Sequence, residues 1–138
     1  MKIIFFCEEV PSPKLKKSQI VTIAKRIAVE ENCTFANINI IFCNDDYLLE
    51  INKQYLQHDY YTDIITFDYR ENNSISSDIF ISVDRLKENA QTLQVDFDSE
   101  VKRIIIHGLL HLSGYEDDTT EKRRNMSLKE DYYLSQIK

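Results

Sequence analysis

Residues that break regular secondary structure are scarce in this sequence of 138 residues, which has only two glycines, two prolines and no tryptophan. Such a composition leaves few places for long irregular loops, and 43% hydrophobic residues are enough for an ordinary globular core. A chain of this length can bury that core without disulfides. We therefore expect a single domain that spans residues 1–138.

Cysteines and long apolar runs are also few. Cys7, Cys33 and Cys43 are odd in number and lie in apolar or strand-like segments, which favours buried reduced thiols over a disulfide framework. No run is long enough to cross a bilayer, and the apolar start at Ile3–Cys7 is too short for a signal peptide. These features predict a cytoplasmic protein that does not associate with membranes.

Positive charge is in deficit, with a formal net charge of −6. This argues against broad, non-specific binding of nucleic acid, which depends on Lys and Arg neutralising phosphates. Basic residues are nevertheless clustered at 14–26 and at 122–124. Charge runs of this size are usually solvated helix faces, and local contact with RNA is the alternative interpretation.

Hydrophobic periodicity predicts the element order β-α-β-α-β-β-α-α-α. The predicted strands are Lys2–Cys7, Phe35–Cys43, Ile64–Tyr69 and Ile79–Val83, the last two forming an antiparallel pair joined by Glu71–Ser74. The first four predicted helices are Leu15–Glu31, Tyr47–Tyr55, Val83–Leu93 and Ser99–Ser113, and Ser12 and Pro13 lie at the entry of the first. A capping box at Asp118 and Glu121 opens a last helix, which buries Met126, Tyr133 and Ile137. This order predicts an α+β fold with a mixed sheet of about four strands covered by helices.

Residues 107–117 hold two of the three histidines and both glycines. His107 and His111 are four residues apart on a predicted helix, so their Cβ atoms should lie about 6 Å apart on one face and both rings can reach one ion. Gly114 can end the helix and reverse the chain, and any carboxylate of Glu116–Asp118 could then return as a third ligand. Three protein ligands leave one coordination position for water, which is typical of catalytic sites.

Two interpretations other than a catalytic metal site also fit this segment. The histidines of an apolar helix can simply be core residues bonded to carbonyls or carboxylates, but the coincidence of the pair, the glycine and the acidic run favours metal binding. Metallopeptidases carry a glutamate directly after the first histidine as general base, and that place is Gly108 here. One divalent ion is the only cofactor predicted; zinc is the expected ion, with nickel, cobalt and manganese left open.

The segment His-Gly-Leu-Leu-His-Leu-Ser-Gly-Tyr-Glu-Asp at 107–117 resembles the signature of the YbeY family, bacterial metal-dependent endoribonucleases that act in ribosomal RNA maturation. The segments Asn52–Phe67 and Asp78–Arg85 are similar to two further stretches of that family, and the resemblance extends from about Ala36 to the C-terminus. It implies an endoribonuclease for single-stranded RNA in ribosome biogenesis, with ribosomal RNA and ribosomal proteins as candidate partners.

The sequence departs from the family pattern at two places. The family signature ends Asp-His and its third histidine is a zinc ligand, so the resemblance implies that Asp117 inherits the ligand role by position. A carboxylate ligand should leave the bound water less acidic, so activity should be slower or need higher pH. Leu56 stands where the family commonly has an arginine after Tyr55, and His58 is a candidate catalytic substitute, with an ordinary loop histidine as the alternative.

Three functions follow as hypotheses. The first is hydrolysis of single-stranded RNA with His107, His111 and Asp117 as catalytic metal ligands that hold the attacking water through the ion. The second is a ribosome-assembly factor that binds RNA or ribosomal protein and uses its metal mainly to fix the fold. The third is a metal-dependent hydrolase of another substrate, a small molecule or a peptide.

Overall fold

The computed structural model describes residues 1–137, and its elements follow the predicted order. The strands are β1 (Lys2–Cys7), β2 (Thr34–Cys43), β3 (Ile64–Asp68) and β4 (Ser74–Ser82). The helices are α1 (Lys17–Glu30), α2 (Asp45–Leu56), α3 (Val83–Leu93), α4 (Phe97–Ser113) and α5 (Thr120–Ser135). The predicted α+β fold is confirmed.

The four strands form one mixed sheet in the order β1-β2-β4-β3. β2 is parallel to both β1 and β4, whereas β3 and β4 are antiparallel, as predicted. Glu71 and Ser74 exchange two backbone hydrogen bonds of 3.0 Å at the turn between β3 and β4. β4 begins at Ser74 and not at Ile79, because Ile75 and Ser77 continue the alternating burial of this strand.

The main core lies between one face of the sheet and the helices α1 and α4. The centre of α4, residues 104–112, is buried on nearly every side, and only its two histidines are half-buried. α2 covers the opposite face of the sheet over a smaller cluster around Cys43, Leu48 and Ile65. α5 packs along α4, so α4 is enclosed between the sheet and a second layer of helix.

Two predicted N-terminal helix caps were wrong. α1 begins at Lys17, because Ser12 caps no helix and its hydroxyl donates to the Pro13 carbonyl. The N-cap of α5 is Thr119, whose Oγ1 accepts the Lys122 N–H at 3.1 Å. Asp118 was the predicted cap, but its carboxylate pairs with the Lys122 ammonium at 3.2 Å.

The cysteine prediction holds only in part. All three thiols are free; Cys43 is buried and Cys33 is half-buried, but Cys7 is exposed because it ends β1, an edge strand. In α5, Met126 and Tyr133 are buried as predicted, whereas Ile137 lies beyond the helix and is half-buried. Within residues 1–137, no helix combines the length and apolar character needed to span a bilayer.

Candidate metal centre

The C-terminal turn of α4 redirects the chain toward the two histidines. Gly114 ends the helix with φ of +118°, a conformation that strains residues with a side chain. Its N–H donates to the His111 carbonyl at 3.1 Å, and the Tyr115 N–H donates to the Leu110 carbonyl at 3.0 Å. The segment after Gly114 therefore returns beside the helix and carries Asp117 to the histidine rings.

Three donor atoms form a nearly equilateral triangle at this point. The Nε2 atoms of His107 and His111 are 3.0 Å apart, and the Asp117 Oδ2 lies 3.4 Å from the first and 3.3 Å from the second. In a regular tetrahedral site with metal–ligand bonds of about 2.05 Å, ligand atoms are about 3.3 Å apart. Among residues 1–137 this is the only cluster of His, Cys, Asp and Glu that could hold an ion through three ligands.

The other nitrogen of each ring is bonded to an acceptor. The His111 Nδ1 lies 2.9 Å from the Tyr115 carbonyl, which can only accept, so that nitrogen carries the proton. The His107 Nδ1 lies 2.5 Å from the Glu130 Oε2 and donates to this carboxylate. In the neutral rings both Nε2 lone pairs then face each other and Asp117, an arrangement that a divalent cation would stabilise.

The electrostatics around His107 also favour a positive charge. Burial opposes protonation of the ring, but the hydrogen bond to Glu130 and the carboxylates of Glu130, Asp117 and Asp63 outweigh it and hold the pKa of His107 above its ordinary value. The same carboxylates would attract a metal ion. Proton and metal should therefore compete for this ring.

Sequence analysis missed Glu130, the residue that orients His107. Its side chain is only 8% exposed, and its Oε1 accepts a hydrogen bond of 2.9 Å from the Arg103 Nη1. The signal in the sequence is its spacing from Met126 and Tyr133, which puts a charged residue on the buried stripe of α5. A buried carboxylate at such a position needs partners, and Arg103 and His107 are those partners.

The three donors open into a cleft of about 480 Å³, a volume within the range of small-molecule sites. Besides the three donor residues, its lining residues are Thr62, Asp63, Ile64, Thr66, Asp68, Leu112, Gly114, Tyr115 and Glu116. No Lys or Arg is among these described lining residues, so carboxylates dominate the charge of the cleft. Burial raises the pKa of Asp63, although His107 and hydrogen bonds to backbone and Asn89 oppose the shift.

Gly108 of α4 packs close to side chains of β3. A Cβ at this position would lie 3.0 Å from the Ile64 Cδ1 and 3.4 Å from the Thr66 Cγ2. A glutamate here would be forced against the sheet. This packing disfavours a peptidase-type general base at residue 108, because its side chain would have to displace these atoms.

The other predicted site residues lie outside the cleft. His58 is exposed on the loop after α2, where its Nδ1 is 3.0 Å from the Tyr60 hydroxyl and the two rings stack. Leu56 is the last residue of α2 and is 40% exposed. Neither residue lines the cleft, so the structure does not bring His58 to the three ligands.

The chain matches known proteins over nearly its whole length. A family model described as Endoribonuclease YbeY matches residues 8–138. This chain belongs to the YbeY family. Among curated YbeY relatives, Endoribonuclease YbeY of Parabacteroides distasonis is 44% identical over 98% of this chain and 95% of its own length. Endoribonuclease YbeY of Cytophaga hutchinsonii is 46% identical, covering 96% of this chain and 94% of its own length.

A solved structure supports the fold of this YbeY chain. The solution structure of TM1509 from Thermotoga maritima superimposes with a TM-score of 0.61 at 22% sequence identity. The match covers 99% of this chain and 89% of the other. The resemblance to YbeY drawn from residues 36 to the C-terminus is thus confirmed and extends almost to the N-terminus.

Proposed function

We propose that this chain is a metal-dependent endoribonuclease that hydrolyses single-stranded RNA and acts in ribosomal RNA processing in the cytoplasm. The names of its relatives support the reaction class, since they are called endoribonucleases. The observation that carries the proposal is the triangle of donor atoms 3.0–3.4 Å apart that opens into a cleft. Three protein ligands with an accessible fourth side are typical of hydrolytic metal sites.

His107, His111 and Asp117 would hold the ion, and zinc suits two imidazoles and one carboxylate. When bound, a divalent ion lowers the pKa of water and neutralises charge that develops on a phosphate oxygen. Glu130 and the Tyr115 carbonyl fix the two rings with their Nε2 atoms facing the ion. Asp117 adds a negative charge to the site, so we expect activity to require higher pH than a site with a neutral third ligand.

The test is replacement of the third ligand. We expect Asp117→Ala to lose both bound metal and cleavage of single-stranded RNA, and Asp117→His to keep the metal and shift the activity profile to lower pH. Metal content is measured by mass spectrometry on the purified proteins. Asp118→Ala is the matched control, because this neighbouring carboxylate pairs with Lys122 and not with the histidines. Unchanged metal content and ribonuclease activity in Asp117→Ala would refute the proposal.

The second candidate is a ribosome-assembly factor that binds RNA or ribosomal protein and uses the metal to fix the segment after Gly114. The carboxylate-rich cleft without lining Lys or Arg favours it. Metal-dependent turnover of RNA that disappears in Asp117→Ala would reject this candidate. A hydrolase of another substrate predicts turnover of small molecules and indifference to RNA, and the packing of Gly108 argues against a peptidase.

A further inference from the structure

Arg70 is bonded to two residues that line the cleft. Arg70 follows β3, and its Nη2 donates to the Leu112 carbonyl at 2.8 Å, at the end of α4. Its Nε and Nη2 donate to the Asp68 Oδ2 at 2.9 and 2.5 Å. Because Asp68 and Leu112 both line the cleft, these bonds hold the guanidinium at its edge.

The guanidinium of Arg70 has one unused edge. Within residues 1–137, no acceptor is hydrogen-bonded to its Nη1, and the side chain is 46% exposed. The bonds to Asp68 and Leu112 already fix the planar group, so little side-chain entropy remains to be lost when Nη1 binds a ligand. The Nη1 edge is therefore a pre-oriented pair of donors beside the cleft.

We propose that the Nη1 edge of Arg70 binds a backbone phosphate of single-stranded RNA, next to the phosphate held at the metal centre. This proposal rests on the endoribonuclease function proposed above. RNA that enters the cleft meets the carboxylates of Asp63, Asp68 and Glu116. Lys122 pairs with Glu116, and Arg70 is the cation bonded to Asp68, where it can offset the repulsion of a phosphate on that side. The Nε–Nη2 fork is taken by Asp68, and the two N–H groups of Nη1 can donate charge-assisted hydrogen bonds to phosphate oxygens.

The rival role for Arg70 is purely structural, a cap on the last carbonyls of α4. The cap uses Nη2, and the phosphate site uses Nη1, so the two roles involve different N–H groups. They also differ in their dependence on salt. Each phosphate neutralised by a cation adds about 0.7 to the slope of log affinity against log salt for single-stranded nucleic acid, whereas a cap adds nothing.

The experiment measures binding of a fluorescein-labelled single-stranded 2′-O-methyl RNA to the zinc-loaded protein by anisotropy across a salt series. We expect Arg70→Gln to weaken binding about tenfold and to lower the salt slope by about 0.7. Arg70→Lys should keep the slope and lose part of the affinity. Arg26→Gln is the matched control, since Arg26 is 48% exposed in α1, pairs with Glu30 and lies outside the cleft, so we expect no change.

If Arg70→Gln loosens the end of α4, its loss of RNA binding would have two explanations. A second variant, at Asp68, separates them. Asp68→Asn leaves the positive charge of the guanidinium less neutralised, so we expect this variant to bind RNA more tightly. The gain in RNA affinity should be larger when Arg70 is present than in the Arg70→Gln background. Equal gains in RNA affinity in both backgrounds would overturn the role of Arg70 but not the proposed function. So would an Arg70→Gln protein that keeps the wild-type RNA affinity and salt slope and still cleaves RNA. A wild-type protein that neither binds nor cleaves RNA would overturn the proposed function itself.

Discussion

Glu130 is the residue outside the three donor residues on which the proposed metal centre should depend most. We expect Glu130→Gln to lower metal affinity about 10- to 100-fold, because the loss of its charge makes His107 a weaker ligand. Competition with a chromophoric chelator measures this affinity. Asp131→Asn is the control, since that neighbouring carboxylate is 62% exposed and bonds Arg103 without touching His107. Equal affinities for the wild-type protein and Glu130→Gln would contradict the prediction.

At the scale of single residues, the histidine pair was predictable and the third ligand was not. The spacing of His107 and His111 is local, because one helix determines it. Three consecutive carboxylates follow Gly114, and spacing alone does not choose among them. In the structure Lys122 pairs with both Glu116 and Asp118, which leaves Asp117 to face the rings. That choice depends on the first turn of α5, and only the packed helices or the family resemblance reveal it.

At the scale of an element, we expect the glycine that ends α4 to affect both stability and metal affinity. Gly114→Ala meets no steric clash, but φ of +118° is strained for alanine, so we expect the protein to lose about 1–2 kcal/mol of unfolding free energy. Metal affinity should fall too, because the segment that carries Asp117 starts here. Urea unfolding and chelator competition measure the two effects. Ser113→Ala, in the same turn, removes only a hydroxyl bond to the Leu110 carbonyl and should cost less. A Gly114→Ala protein as stable as the wild type would refute the strain argument.

The order of the elements was predictable because most of them have a clear hydrophobic period, but some boundaries were not. A proline after Ser12 is typical of a helix entry, yet the Ser12 hydroxyl is satisfied by the Pro13 carbonyl and the helix starts at Lys17. The first half of β4 is rich in serine, which obscures a strand in the sequence. Pairing with β2 buries Ser77 nonetheless, so the neighbouring strand and not the local sequence sets this boundary.

At the scale of the whole molecule, one carboxylate joins three parts of the chain. Glu31, at the end of α1, accepts hydrogen bonds from the hydroxyls of Tyr115 at 2.8 Å and Tyr133 at 2.5 Å. The Lys129 ammonium lies 3.3 Å from the same carboxylate. Tyr115 belongs to the segment that returns to the metal centre, and Tyr133 and Lys129 belong to α5. Glu31 therefore holds the segment after Gly114 between α1 and α5, two helices that are distant in sequence.

This network predicts a dependence of stability on pH. Burial would raise the pKa of Glu31, but the hydrogen bonds from Tyr133, Tyr115 and Lys129 outweigh it and lower the pKa below the ordinary 4.5. A carboxylate with a lowered pKa stabilises the fold above its unfolded pKa, and this contribution disappears as pH falls through the folded value. We expect Glu31→Gln to cost about 1–2 kcal/mol of unfolding free energy at neutral pH.

The difference between Glu31→Gln and the wild type should then shrink below pH 4.5, where the wild-type carboxylate takes up a proton. Urea unfolding at neutral and acid pH measures it. Glu30→Gln is the control, since Glu30 contacts only the exposed Tyr132 hydroxyl at 2.7 Å and the exposed Arg26 at 3.9 Å and should change stability little at either pH. A cost for Glu31→Gln that is equal at both pH values would show that side-chain shape, and not the charge of this carboxylate, holds the three segments together.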